Sequence, residues 1–257
     1  MCELFGFCGP QPVSLNRELE AFYAHADEHP NGWGLALLDQ DCFSIEKEPA
    51  NARKSHYLKE RLREPISAGT ALAHIRFATI GSEAWRNCHP FTGLDVSGRR
   101  WTLIHNGTIF DYPGMNSYAR LQKGDTDSER ILLYLMDQVA EETRLLGHPL
   151  TAEERFRLLD RIVIALSPGN KVNLLIYDEE LLYAHTNYAG SLYRREDERG
   201  VCLSTRPLTF EQWTPVPFTT LIAYRQGKQV FSGTKHNQEY FVDEEKMKML
   251  FLAYSSL

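Results

Sequence analysis

The chain has 257 residues, 43% hydrophobic and 24% charged, enough to bury a sizeable core and compatible with one domain over residues 2–257. No run of about eighteen apolar residues occurs, so no membrane helix and no membrane partner are expected. The 34 acidic and 28 basic residues give a net charge of −6 without a clustered Lys/Arg stripe, which speaks against nucleic acid as a partner.

Residues 2–9, with Leu4, Phe5 and Phe7 ahead of Gly9-Pro10, predict a buried first strand ending in a turn. Leu15, Leu19, Phe22 and Tyr23 recur at helical spacing over 14–28, with Ser14 as cap and Pro30 beyond the end. A hairpin is expected from 33–38 and 42–48 around Asp39-Gln40-Asp41, then a helix over 54–63 and strands over 70–76 and 101–105. Helices over 127–142 and 152–166 flank Gly147-His148-Pro149. Strands then dominate, at 171–178, 181–186, 201–205, 219–225 and 228–232. Hairpin-like spacings with helices in pairs imply an α+β fold of mainly antiparallel sheets covered by helices.

Five cysteines, Cys2, Cys8, Cys42, Cys88 and Cys202, stand at wide spacings without a C-x-x-C pair, so reduced and mostly buried thiols are expected. Met1-Cys2-Glu3-Leu4-Phe5 has no basic or long apolar leader, which points to the cytoplasm. Cysteine at position 2 allows the initiator methionine to be removed, leaving a thiol beside a free α-amine. That amine titrates near about 7.7–8.0, so it can take the thiol's proton at neutral pH and return it to a leaving amine. Taken alone, Met-Cys is equally explained by a small buried residue at the head of a strand.

An ordered set of motifs follows. Arg76-Phe77-Ala78-Thr79-Ile80-Gly81 leaves one strand, Asn87-Cys88-His89-Pro90-Phe91 comes next, His105-Asn106-Gly107 ends another strand, and Thr126-Asp127-Ser128-Glu129 opens a helix. Each motif also has an ordinary structural reading. Arg76 could form a surface ion pair, Thr79 a strand-end hydroxyl bond, Asn106-Gly107 a tight turn, and Asp127 a carboxylate at a helix N-terminus. His89 and His105 read as core histidines, and Cys8 as packing. Their joint order is what these readings leave unexplained.

These residues resemble the class II glutamine amidotransferases, N-terminal nucleophile hydrolases that share a four-layer αββα sandwich. The likeness spans most of the first 130 residues. It implies that Arg76, with Thr79 beside it, binds the substrate carboxylate through a planar fork. Asn106 and Gly107 would form the oxyanion hole and Asp127 would bind the α-ammonium. The Cys2 thiolate would attack a γ-glutamyl amide, release ammonia and pass through a glutamyl thioester, with no metal or organic cofactor.

Gly32-Trp33-Gly34, the N-C-H-P-F form and the lack of an appended synthase domain resemble the small stand-alone branch of that family. Ile80 stands where many synthase-linked members have histidine, and Asn31 where similar chains often have aspartate. The resemblance leaves three functions open. They are a glutaminase serving a separate synthase or acceptor enzyme, a stand-alone γ-glutamyl peptide hydrolase, and a catalytically silent glutamine-binding protein. The motifs read the glutamyl half of the substrate only, and the turn-rich segments 77–95 and 108–126 are expected to wall the other half as mobile loops.

His25-Ala26-Asp27-Glu28-His29 fits the H-x-x-E-H zinc pattern, but Pro30 closes the helix at once and a third ligand is lacking. A polar helix end explains the same letters.

Overall fold

The computed structural model of the protein describes residues 2–39, 41–245 and 248–249. In chain order it forms β1 (Glu3–Ser14), α1 (Asn16–Tyr23), β2 (Trp33–Asp39), β3 (Cys42–Glu48), α2 (His56–Arg63) and β4 (Ser67–Ile75). Next come β5 (Phe91–Leu94), β6 (Arg100–Thr108), α3 (Asp127–Leu146), α4 (Ala152–Leu166), β7 (Lys171–Tyr177) and β8 (Leu182–His185). The remaining strands are β9 (Tyr193–Asp197), β10 (Gly200–Ser204), β11 (Thr214–Pro215), β12 (Ile222–Arg225) and β13 (Lys228–Ser232).

Two antiparallel sheets result, ordered β11-β9-β10-β1-β4-β2-β3 and β13-β12-β8-β7-β6-β5. Because strand side chains alternate faces, each sheet buries two different sets of residues. Phe5 and Phe7 of β1 pack with Leu19 and Phe22 of α1 and Leu58 of α2, forming the outer core of the first sheet. Leu103 of β6 and Val172, Leu174 and Ile176 of β7 pack against Ile131, Leu135, Leu159 and Ile162 of α3 and α4 on the far side of the second. Between the sheets lie Leu4 and Cys8 of β1, Leu72 of β4, Ile104 of β6 and Leu175 of β7. The layers therefore run helix, sheet, sheet, helix, the αββα sandwich that the resemblance implies. Each fully buried Leu or Phe in them contributes about 1.5–3 kcal/mol.

The ends of the elements follow local chemistry. Thr126 Oγ1 accepts the Glu129 N–H at 3.2 Å to cap α3, and Gly147, at φ 73°, ends that helix in the left-handed region. Thr151 and Glu154 form a reciprocal capping box on α4. Several expectations change. β1 runs past Gly9-Pro10 because its pairing with β4 resumes after a bulge between Cys8 and Val13. The helix expected over 14–28 is α1 followed by a 3₁₀ turn at Ala24–Glu28, and its N-cap is Leu15, without a side-chain bond from Ser14. The 33–38/42–48 hairpin forms, with Gln40 at its tip outside the described residues. The short strands β5, β9 and β11 add to the expected set, β5 and β11 at sheet edges. Among the described residues no helix is long and apolar enough to cross a membrane.

Candidate active site

Period-two alternation also builds the site. Leu4 faces the inter-sheet layer, so Cys2, two residues earlier in the same extended run, shares that side. On the facing sheet the alternation that puts Ile104 and Leu175 between the sheets continues to Asn106 of β6 and to Lys171 of β7. Cys2, Asn106, Gly107 and Lys171 line one pocket, completed by Phe77, Thr79, Thr108 and Tyr240. Its walls thus come from both sheets and from a segment far along the chain.

Phe77 closes a reciprocal pair with the thiol: its N–H donates to Cys2 Sγ at 3.3 Å, and Sγ lies at 3.3 Å from its carbonyl oxygen as donor. Burial pushes the Cys2 thiol above its ordinary pKa, while the Phe77 N–H and the charges of Arg76 and Lys171 pull it back. Glu3, beside Cys2, is 1% exposed and is held by the His25 Nδ1–H at 2.8 Å and by an ion pair with Arg206 Nε at 2.8 Å. His29 donates from Nδ1 to the His25 carbonyl at 2.9 Å. The two histidines of the H-x-x-E-H run therefore serve to fix the residue after Cys2.

Gly107 tolerates no side chain, since a Cβ there would meet the Lys171 carbonyl oxygen at 1.9 Å and His105 Nε2 at 2.4 Å. His105 is satisfied by Ser128 Oγ at 3.0 Å and the Lys171 carbonyl at 3.1 Å. His89 is buried and stacks on His74 with ring centroids 4.0 Å apart, yet neither of its ring nitrogens has a hydrogen-bond partner. Burial holds it well below its ordinary pKa, hence neutral. Thr79 Oγ1 lies 3.4 Å from Thr108 Oγ1, joining the ends of β4 and β6 across the pocket.

Arg76 and Asp127 are turned to backbone groups. Arg76 is 2% exposed and donates to the carbonyls of Ser82 at 3.0 Å, Ile80 at 2.8 Å and Gly81 at 2.8 Å, using three of the five guanidinium N–H groups. Asp127 accepts from the Ile109 N–H at 2.8 Å and the Ser128 N–H at 3.0 Å. Both stand beside the pocket through Phe77 and through the Asn106-Gly107 strand end, and neither lines it.

The two turn-rich segments are tied together by Asn87, which is fully buried. Its Nδ2 donates to the Ser82 carbonyl at 2.9 Å and to Asp125 Oδ2 at 3.1 Å, and its Oδ1 accepts the Asp125 N–H at 2.8 Å. Asn31 joins the same wall, accepting the Ala78 N–H at 2.9 Å and donating to the Glu83 carboxylate. An aspartate at position 31 would instead face Glu83 with like charge, which gives asparagine a physical reason to stand there. Asn87, Thr108, Lys171 and Tyr240 escaped the sequence reading as site residues. Asn87 stands in the N-C-H-P-F motif without a role of its own there, and Lys171 carried a local signal as a charged residue opening the apolar strand 171–177.

A family model described as class II glutamine amidotransferases matches residues 1–196. The chain belongs to that family. An uncharacterized protein of Methanocaldococcus jannaschii is 28% identical over 91% of this amidotransferase and 72% of its own length. A crystal structure of a predicted glutamine amidotransferase from Pseudomonas aeruginosa shares 21% identity, with a TM-score of 0.63 over 90% of this chain and 100% of that one. Glutamine phosphoribosylpyrophosphate amidotransferase from B. subtilis shares 14% identity, with a TM-score of 0.65 over 91% of this chain and 49% of that one. At such identities the two structures speak for the fold. The amidotransferase is accordingly a glutamine-utilising domain with this family's sandwich.

Proposed function

We propose that this amidotransferase hydrolyses the γ-amide of glutamine through a thioester on Cys2, and that residues 2–257 act as one domain for this purpose. The observation that carries the reading is the convergence of Cys2 with Asn106 and Gly107 from the opposite sheet on a single pocket. Removal of Met1, which lies outside the described residues, would leave the Cys2 α-amine as the base. The amine takes the thiol proton, and the thiolate attacks the γ-carbonyl. The resulting oxyanion is held by the Asn106 amide and the Gly107 N–H, and each such donor is worth about 2.7–4 kcal/mol of barrier. Collapse breaks the C–N bond, with the α-ammonium protonating the departing ammonia. Water then attacks the thioester, giving glutamate and regenerating the thiol.

Arg76 and Asp127 are read as the groups that recognise the α-carboxylate and α-ammonium, with Thr79 beside them. Two guanidinium N–H groups of Arg76 are not used by the three loop carbonyls, which suits this role. Ammonia is taken as the leaving group because the chain's family is that of the glutamine amidotransferases. The reading therefore assigns the product ammonia to a separate synthase or acceptor enzyme. Free thiols at Cys8, Cys42, Cys88 and Cys202 suit a reducing compartment, and the cytoplasm is the location proposed.

The test is to treat the methionine-free protein with a glutamine analogue bearing an electrophile in place of the amide, and to map the adduct by mass. Label on Cys2 with ammonia release from glutamine is expected. Label on any other cysteine, or rapid cleavage of a γ-glutamyl peptide with negligible glutamine turnover, overturns the reading.

A further inference from the structure

Lys171 opens β7 and is 2% exposed, its side chain directed into the inter-sheet layer at the Cys2 pocket. Its Nζ lies 3.3 Å from Asn106 Oδ1 and 4.6 Å from the centroid of the Tyr188 ring. An ammonium only donates, so the atom facing it must be the amide oxygen of Asn106. The amide nitrogen then points the opposite way, and among the described residues it has no protein partner. The cation also acts on the nucleophile, because Lys171 and Cys2 each shift the other's ionisation.

We propose that Lys171 is a positioning residue for the Cys2 reaction: it locks the Asn106 amide with its N–H toward the pocket and supplies a fixed positive charge beside the thiolate and the oxyanion. The inference deepens the proposed glutaminase chemistry and rests on it only where turnover is concerned. An asparagine free to flip would present its oxygen to the developing oxyanion in part of the population. A lysine donor removes that alternative without occupying the amide N–H. Burial lowers the Lys171 pKa to about 8, opposed by the Cys2 charge, so the ammonium is mostly present at neutral pH and is lost in mildly alkaline solution. The other titratable groups at this place are the Cys2 α-amine, Arg76, Tyr188, Tyr240 and His105, the last held neutral by burial.

Two variants and one titration test the proposal. Lys171→Met is expected to lower kcat for glutamine by about 10- to 100-fold with KM changed less than about threefold, the pattern of an interaction made in the transition state. It should also slow Cys2 alkylation by iodoacetamide at pH 7, where the ammonium is present and favours the thiolate. Lys171→Arg, which keeps the charge, should restore the alkylation rate. A folded Lys171→Met protein with wild-type kcat and an unchanged alkylation rate overturns the proposal, as does a loss confined to KM.

Should Lys171→Met fail to fold, protein labelled with ε-13C-lysine gives the same answer without altering Lys171. Its midpoint is expected near 8 in the wild type and higher once Cys2 has been alkylated with iodoacetate, which leaves a permanent carboxylate beside the ammonium. Equal midpoints overturn the proposal. Alkylation and lysine titration need no substrate, so an absence of glutamine turnover with both couplings intact would defeat the glutaminase reading and leave the role of Lys171 standing.

Discussion

His185 and His236 meet nitrogen to nitrogen, Nε2 to Nε2, at 2.9 Å. The His185 Nδ1–H donates to the Val172 carbonyl at 2.6 Å, so its Nε2 is the acceptor. The Gln238 N–H donates to His236 Nδ1 at 3.1 Å, so His236 supplies the proton. Both rings must therefore be neutral. This bond fastens the segment that carries Tyr240 over the Cys2 pocket, together with the Tyr240 N–H donating to the Asn187 carbonyl at 2.8 Å.

Burial lowers the pKa of His185 to about 3, and burial also lowers that of His236, against the opposing charge of Asp160. The unfolded chain binds these protons near about 6.5, so it takes up more protons than the folded one in mild acid, and stability rises with pH in that window. The contribution is complete above about 6.5 and is lost as pH falls toward about 3. The urea midpoint should drop between pH 7 and pH 5, and the slope should be shallower in His185→Gln. An equal slope in that variant would show that His185 is not among the groups responsible.

Arg76→Lys should raise KM for glutamine strongly and also lower stability, because lysine cannot serve the three carbonyls of Ile80, Gly81 and Ser82 from one fork. Loss of these buried bonds is expected to cost about 1–3 kcal/mol. Asp127→Asn should raise KM with a smaller stability change, since the amide oxygen can still accept one of the two N–H groups of Ile109 and Ser128. Steady-state kinetics and urea titration on the same preparations separate the two effects. A fall in kcat at constant KM in either variant would reverse the assigned roles.

Asn87→Ala removes four bonds that tie 82 to 125 and leaves the Asp125 N–H and the Ser82 carbonyl without this partner. A loss of about 1–3 kcal/mol is expected. Amide exchange should accelerate in 80–88 and 122–126 and stay as in the wild type in β6 and β7. Uniform acceleration across the whole chain would mean that Asn87 supports the global fold and not the pocket wall.

The most buried ion pair lies on the far side of the second sheet, where Arg155 Nε meets Asp178 Oδ2 at 2.6 Å and Tyr183 donates to the same oxygen at 2.7 Å. Arg155 is 2% exposed and Asp178 is fully buried. Arg155→Met should therefore cost about 3–5 kcal/mol by stranding a buried carboxylate. Asp178→Asn in the Arg155→Met background should recover part of it. Urea denaturation at pH 7 measures both, and a neutral Arg155→Met would show that Asp178 takes up a proton at little cost.

Local pattern was sufficient for much of this protein. The helical periods of 127–142 and 152–166 and the alternation of 33–38 and 42–48 report burial on one face, and burial follows spacing directly. The ordered motifs around Cys2, Arg76, Asn106 and Asp127 likewise stand near strand and helix ends, so their types could be read without knowing what they face. Tertiary structure alone decided which of them meet. Lys171 reaches Asn106 because Thr108 pairs with Lys171 across β6 and β7, a register that neither strand's own letters specify. Tyr240 reaches the pocket because its segment is fastened by His236 to His185 and by the Tyr240 N–H to the Asn187 carbonyl. Arg76, expected from the motif to bind substrate, holds the 80–82 turn in the fold, since a buried guanidinium with carbonyls in reach will bond them. Spacing along the chain encodes which face a residue takes, while the identity of its partner is set by how two sheets close on each other.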